Sequence, residues 1–358
     1  MWLGRAFLAL LAILVLVTAL PVIESDEWWV RIWDFPRLQI GALLLLALAG
    51  LAVFDSRQGR PFWLAMLAGG AALAWQASYV ARYLPFWPVE VAKADQCTPD
   101  RHLRLLNANV LLTNRDHAAL LNLVRATDPD IILLLETGAE WEQAARPLHA
   151  SYPHRVSQPL PNTYGLMLLS KLPLETPRIR YLVSPHIPSV KTGIRLPSGE
   201  VVDFYAVHPE PPLPGDDSGE RDAELVLVAR EVRESGRAAI VMGDLNDVAW
   251  SHTSRLFQRL SGTLDPRVGR GLYPTYPAQT PLLAWPLDHA FVTRHFQLTE
   301  IDRRGDIGSD HWPMLFGLCL ERDANRQLNG KSVPIDVRED ARDQIEDGRE
   351  ERAEENRG

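Results

Sequence analysis

The sequence predicts an α/β domain carried behind three membrane-spanning helices, on three observations. Residues 6–23, 38–54 and 61–81 contain no Asp, Glu, Lys or Arg. From residue 101 the texture changes to short apolar runs alternating with turns and amphipathic stretches. After residue 320 it changes again, to 12 acidic and 8 basic residues in the last 38. The 358 residues thus divide into a membrane anchor at 1–90, a linker at 91–100, a globular domain at 101–320 and a charged tail at 321–358. The tail is too polar to bury a face and is expected to be disordered or a loose solvated helix.

Crossing a bilayer takes about 20 apolar residues. The three runs have 18, 17 and 21. The first is longer than the apolar core of a signal peptide and lacks an A-x-A site before Glu24. Loop charge sets the orientation. Residues 55–60 carry Arg57 and Arg60, whereas 24–37 set Arg31 and Arg37 among four acidic residues. The positive-inside rule puts Arg5 and residues 55–60 in the cytoplasm. Three spans then place everything after Arg82 outside. Trp28, Trp29 and Trp33 suit a headgroup interface. The lipid bilayer is therefore the expected partner of residues 6–81, and no protein partner is identifiable.

A net charge of −8 and a pI near 5.7 argue against a strongly basic nucleic-acid binder. Two cysteines exclude a disulfide-dense scaffold and a cysteine zinc cluster. Cys97 and Cys319 bracket the globular region. In an oxidising compartment they could pair; otherwise they stay as two thiols.

Within the globular region, residues 104–110, 131–135, 165–169, 201–207, 238–242, 290–293 and 314–320 read as strands. Residues 131–135 form a wholly apolar run, as in a strand buried on both faces. Residues 116–127 and 220–235 read as helices from the spacing of Leu120, Leu123, Val124 and Thr127, and of Leu225, Val228, Ala229 and Val232. Asp128-Pro129 stops the first and Gly236 the second.

Several strands end in a group that is costly to bury without a task. Asn109 closes the first. Glu136 follows 131–135, His208 follows 201–207, and Gly243-Asp244-Leu245-Asn246 follows 238–242. Asp288 opens the strand at 290, and Ser309-Asp310-His311 precedes the last. Strand alternation lets Asp244 and Asn246 face one way. Carboxylates and carboxamides favour a hard cation, Mg²⁺ or Mn²⁺, over zinc. A hard metal with two histidines fits hydrolysis of a phosphate ester.

In this order and spacing, Asn109, Leu-Leu-Glu136, Val-His208, Gly243-Asp244-Leu245-Asn246, Leu-Asp288-His and Ser309-Asp310-His311 resemble the endonuclease/exonuclease/phosphatase superfamily of DNase I-like enzymes. Tyr164-Gly165-Leu-Met-Leu-Leu-Ser170-Lys171 is similar to its G-x-x-x-L-S-[RK] strand. The resemblance covers about 102–320. It implies a four-layer α/β sandwich, two mostly antiparallel sheets with outer helices, and a site at one end. It implies that the first and last strands are antiparallel neighbours, which puts Cys97 and Cys319 toward the far end, where a disulfide is conceivable. Carried over by position, it implies Glu136 as principal metal ligand, with Asn109 and Asp310. It implies His311 as general acid or base oriented by Asp288, Asp244 on the attacking water, Asn246 toward the developing charge, and His208 on phosphate. Val207 departs from the threonine often found before that histidine, and Pro209-Glu210-Pro211-Pro212 follows. Asn107 and His289, adjacent to motif positions, are left outside the expected site, His289 because it should point away from Asp288.

The three-span head with an outward hydrolase domain, and Tyr273–Ala278 ahead of Asp288, are similar to a bacterial membrane-anchored branch, which implies the inner membrane and an extracytoplasmic catalytic domain. The expected substrate is a phosphate ester, either nucleic acid or a lipid-linked phosphate or pyrophosphate. Arg255, Arg259, Arg267, Arg270, Arg294, Arg303 and Arg304 could track a nucleic-acid backbone or form a solvated face. The alternative function is a membrane-tethered, non-catalytic binding module on the same fold.

Overall fold

The computed structural model describes residues 2–23, 25–55, 59–211, 217–321 and 333–355. Glu24, Arg57, Pro212 and tail residues 322–332 lie outside the described residues. Three apolar helices open the chain: α1 (Trp2–Ala19), α3 (Arg37–Phe54) and α4 (Arg60–Val80). With their flanking turns they are long and apolar enough to cross a membrane, over Trp2–Val22, Arg37–Phe54 and Arg60–Tyr83. Leu11, Leu44, Ala47 and Leu51 pack between them. Gly69 lets Leu11 and Leu48 approach, since a Cβ there would lie 2.7 and 2.8 Å from their methyl carbons.

The domain behind them has the four layers the resemblance implied. One sheet runs β10-β11-β1-β2-β4-β3 and the other β5-β6-β7-β8-β9. In chain order these are β1 (His102–Asn109), β2 (Ile131–Leu135), β3 (His154–Gln158), β4 (Leu166–Ser170), β5 (Leu174–Arg180), β6 (Ser189–Arg195), β7 (Val201–Val207), β8 (Ala239–Asp244), β9 (Asp288–Val292), β10 (Phe296–Arg303) and β11 (Met314–Leu320). The helices of the chain not yet named are α2 (Trp28–Arg31), α5 (His117–Thr127), α6 (Ala139–Ala144), α7 (Gly219–Ser235), α8 (His252–Ser261) and α9 (Ile335–Glu355).

Alternation along each strand builds the layers. Leu105, Leu133, Leu168 and Phe316 of one sheet meet Phe204, Ile240, Met242 and Val292 of the other in the central core. Their neighbours Leu106, Ile132 and Leu134 turn outward under Leu120 and Val124 of α5. Tyr205, Val241 and Phe291 turn outward under α7 and α8. Strands covered on both faces need apolar residues at every position, which is why 131–135 is one unbroken apolar run. Asp116 caps α5 by accepting from the Ala119 N–H at 3.1 Å.

β1 pairs β11 antiparallel, with His102 opposite Cys319. Cys97 and Cys319 form a disulfide at the end of the sheet away from Asn109. The bond closes 222 residues of sequence. Non-reducing peptide mapping is expected to recover the joined peptides, and reduction to cost about 2–4 kcal/mol of stability.

Two segments depart from expectation. The stretch expected as a linker is fastened down: Val91 is buried in the central core, and Ala92 and Ala94 hydrogen-bond Leu298 of β10. Within the charged tail, α9 is a helix set against α7. Val337, Ala341 and Ile345 recur every four residues and bury one stripe in the cluster that also holds Val228 of α7. A narrow stripe suffices because the other faces of α9 can stay in water.

The apolar helices meet the domain at one end of their bundle. Trp28 N–H donates to Asp217 Oδ1 at 3.1 Å, Trp250 Nε1 to the Asp34 carbonyl at 2.7 Å, and Tyr83 Oη to the Ala249 carbonyl at 2.8 Å. Arg31 forms a buried ion pair with Asp222 at 2.8 Å. Burial alone would raise the Asp222 carboxyl, but Arg221 and Arg31 outweigh it and hold it below its ordinary range. That stabilisation is complete above the unfolded carboxyl value, near 4, and is lost as pH falls through the lower folded value. Asp222→Asn is expected to cost about 3–5 kcal/mol at neutral pH by leaving Arg31 buried without its partner. The gap in melting temperature between wild type and variant should narrow as the pH is lowered below about 4.

Candidate active site

The polar strand ends converge between the sheets. Asn107 and Asn109 continue the inward row of Leu103 and Leu105 in β1. Asp244 follows Ile240 and Met242 in β8, and Asp288 precedes Ala290 and Val292 in β9. Glu136 breaks the alternation. It follows inward-facing Leu135 and should point outward, but φ of +59° turns the chain there and brings its carboxylate to Asn109. A non-glycine residue in that region costs about 1–3 kcal/mol and persists where surrounding contacts enforce it. Gly243 stands where β8 passes β7 so closely that a Cβ would lie 1.8 Å from the Val207 carbonyl oxygen.

Asp244 is the hub. Its Oδ2 accepts from Asn109 Nδ2 at 3.2 Å and lies 3.5 Å from His311 Nε2 and 3.9 Å from His208 Nε2. Asn109 Nδ2 also donates to Glu136 Oε1 at 2.9 Å, and the Leu112 N–H reaches Glu136 Oε2 at 3.3 Å. His311 Nδ1 is 2.8 Å from Asp288 Oδ2, and Asp288 Oδ1 accepts from Asn107 Nδ2 at 3.1 Å. Asn246 donates its N–H to Asp244 Oδ1 and its Nδ2 to the Pro209 carbonyl, both at 2.9 Å. Its carboxamide thus ties down the loop after His208. His208 reaches the site despite Val207 and the proline-rich loop.

Charge follows from this packing. Burial disfavours a charged His311, but Asp244 and Asp288 outweigh it and push it up to about 10. Burial holds His208 below its ordinary value, so it stands neutral at pH 7. Burial raises Asp244, with His311 opposing. Burial also raises Glu136 against the hydrogen bonds from Asn109 and Leu112, and the charge of Asp310 adds to the rise.

Asp244, Asp288 and His311 bring one ligand atom each to within 4.8 Å of one another and could hold a metal ion. The set expected from sequence was different: Asn109, Glu136 and Asp310. The two sets adjoin through Asn109. The first already contains one cation, the imidazolium, and is almost wholly buried. Glu136 and Asp310 are half-buried and offer oxygen only, the donor type of hard cations.

Asn107, set aside in the sequence, belongs to the cluster. His289 does not: it faces Arg267 at 2.6 Å and the Asp247 carbonyl at 2.9 Å. Three further residues shape the site. Thr275 Oγ1 accepts from the N–H groups of Leu287 and Asp288, both at 3.2 Å. Tyr276 lies against His311, with ring centroids 4.8 Å apart. Ser309 Oγ donates to the Asn109 carbonyl at 2.8 Å, tying the last motif to the first. Tyr273–Ala278 was notable in the sequence, but these contacts are long-range and periodicity does not report them.

The Endonuclease/Exonuclease/phosphatase family matches residues 105–311. The chain belongs to this family. No curated protein matches the sequence. Among solved structures, an endonuclease/exonuclease/phosphatase from Bacteroides vulgatus superposes with a TM-score of 0.51 at 16% identity, covering 62% of this chain and 99% of that one. A humanized D. rerio TDP2 gives 0.50 at 16%, covering 61% and 99%. The human Nocturnin catalytic domain with bound sulfate gives 0.50 at 14%, covering 63% and 96%. At these identities the likeness establishes the fold, and family membership makes the chain a hydrolase acting on phosphate esters.

Proposed function

We propose that the chain is a membrane-anchored, divalent-metal-dependent phosphoesterase whose catalytic domain faces away from the cytoplasm. One observation carries the reading: the strand ends bearing Asn109, His208 and His311 converge on the carboxylate of Asp244, with Glu136 reached through Asn109 and Asp288 through His311. Mg²⁺ or Mn²⁺ beside Glu136, Asn109 and Asp310 would neutralise phosphate oxygens. The carboxylate oxygens of Glu136 and Asp310 fit such an ion, and so does the state of Glu136, a carboxylate raised by burial and by a second carboxylate. His311, held as an imidazolium, donates a proton toward the leaving oxygen, and Asp288 fixes its ring. Asp244, raised by burial, accepts a proton from the attacking water more readily than an ordinary carboxylate. Neutral His208 binds phosphate as a hydrogen-bond donor. Asn246 keeps one amide hydrogen for the developing charge while the other holds Pro209.

Orientation is supported from two sides. Residues 26–39 and 79–91 touch the domain, whereas Phe54 at the end of α3 and Arg60, a cytoplasm-favouring arginine at the start of α4, lie at the other end of the bundle. The disulfide between Cys97 and Cys319 suits an oxidising compartment.

A lipid-borne phosphate ester is favoured over nucleic acid because six of the seven arginines that could track a backbone are engaged elsewhere, leaving exposed Arg294. Arg267 is buried on Asp265, Arg259 pairs with Asp336, and Arg304 with Asp302. Arg270 donates to the Val91 carbonyl, Arg303 to the Pro274 carbonyl, and Arg255 lies over Tyr79.

The test uses the full chain in nanodiscs with Mg²⁺. Phosphate release from a bilayer-borne polyprenyl pyrophosphate, with plasmid left intact, is the expected result. Plasmid cleavage without lipid turnover would make it a tethered nuclease. A compartment-sensitive reporter at the C-terminus should be active outside the cytoplasm, and cytoplasmic activity would overturn the orientation.

A further inference from the structure

The loop that covers His311 also touches the membrane helices. Pro281–Leu283 is a single 3-10 turn, and its Leu282 and Leu283 are 91% and 51% exposed. Exposed leucines are common on soluble surfaces and mean little alone. Their position gives these two significance. Gln39, in the first turn of α3, donates from Nε2 to the Leu282 carbonyl at 3.1 Å. Phe35, just ahead of α3, meets Trp285 edge-on with centroids 5.8 Å apart. If α3 crosses the bilayer, its first turn lies at the boundary between headgroups and acyl chains. A turn hydrogen-bonded to that position lies at the same depth.

From this turn the path to the site is short and built largely of backbone bonds. The Thr275 N–H donates to the Trp285 carbonyl at 2.8 Å, and Tyr276 and Trp285 exchange N–H bonds to each other's carbonyls. The Ala278 N–H donates to the Asp310 carbonyl at 2.7 Å, and Gln279 Nε2 to the Ser309 carbonyl at 3.3 Å. Tyr276 then rests on His311.

We propose that Leu282 and Leu283 form a membrane-contact tip. The tip enters the headgroup–acyl boundary of the leaflet that faces the domain, and it holds the mouth of the site at the level of the lipid phosphates. The partner is the bilayer surface itself. The proposal rests on the reading of the apolar helices as membrane spans and of the site as a phosphoesterase, and it adds a named contact that neither requires. An exposed leucine pair at the tip of a loop, at the depth of a spanning helix's first turn, is the pattern of an interfacial anchor.

The test is Leu282→Cys in the full chain. The two native cysteines are bonded to each other, so the new thiol is the one available for labelling. A polarity-sensitive dye there, in phosphatidylcholine–phosphatidylglycerol nanodiscs, should emit as in an apolar medium. Lipids spin-labelled near the headgroup should quench it by about twofold or more. The same dye at Arg195→Cys, at the opposite strand ends, should stay unquenched. Water-like emission with no quenching at position 282 overturns the proposal. Independently, Leu282→Asp with Leu283→Asp should lower the ratio of turnover on the bilayer-borne ester to turnover on a soluble phosphodiester about tenfold. An unchanged ratio also counts against the tip. Failure of the wild-type chain to hydrolyse either ester would instead sink the phosphoesterase reading and leave the quenching result standing.

Discussion

Glu136→Gln is expected to lower hydrolysis of any phosphate ester by about a thousandfold or more. The substitution keeps the shape and an acceptor for Asn109 Nδ2, 2.9 Å away, removes the charge, and gives up the longer bond from the Leu112 N–H at 3.3 Å. Losing one well-placed electrostatic group in a water-poor site costs about 10²–10³ in turnover, and loss of the metal would add to that. The folded protein should not suffer, because burial already disfavours the charged form of Glu136. Without added metal the variant should melt close to the wild-type temperature, the relief of a buried charge offsetting the lost Leu112 hydrogen bond. Mg²⁺ or Mn²⁺ should raise the melting temperature of the wild type, and that rise should largely vanish in the variant. A metal-induced rise of equal size in both proteins would move the ion away from Glu136.

Asp288→Asn is expected to cost about 10²–10⁴ in turnover with little change in apparent substrate affinity. The carboxylate accepts from both His311 Nδ1 and Asn107 Nδ2. An asparagine must either present its NH₂ to the imidazole, which selects the other tautomer, or face the donor of Asn107. The analogous change in serine-protease triads costs about 10⁴ through the wrong tautomer. Losing one of the two charges that hold His311 protonated should also lower its titration point. The midpoint read by NMR on the imidazole should therefore fall from about 10. A full-rate Asp288→Asn enzyme would remove His311 from proton transfer.

The strands buried on both faces were the most legible part of the sequence. Residues 131–135, 201–207 and 314–320 agree with β2, β7 and β11, because every position in such a strand faces protein. The edge strands β3 and β5 carry His154, Arg155 and Gln158, or Glu175, Arg178 and Arg180, and no apolar run announces them. α9 was hidden for a related reason: its buried stripe is Val337, Ala341 and Ile345 in a segment otherwise rich in charge. The site was legible where a polar residue interrupts an apolar run, as at Glu136, His208 and Asp244. Asn107 was legible by alternation two residues before Asn109, but next to a motif asparagine it carried no separate signal. Tyr276 and Thr275 act across the chain through contacts that only the folded structure brings together. Arg31 read as a loop charge, and its burial against Asp222 follows from where the apolar helices dock.

The central claim, that the strand-end cluster is a metal-dependent hydrolytic site and not a binding surface on a borrowed fold, is tested most directly by steady-state turnover. The full chain in nanodiscs would be given a soluble phosphodiester while Mg²⁺ is titrated from a chelated zero. Saturable hydrolysis that appears with the metal, disappears on chelation and returns on readdition is the predicted result. Absence of turnover at every Mg²⁺ and Mn²⁺ concentration, or turnover indifferent to chelation, would contradict it.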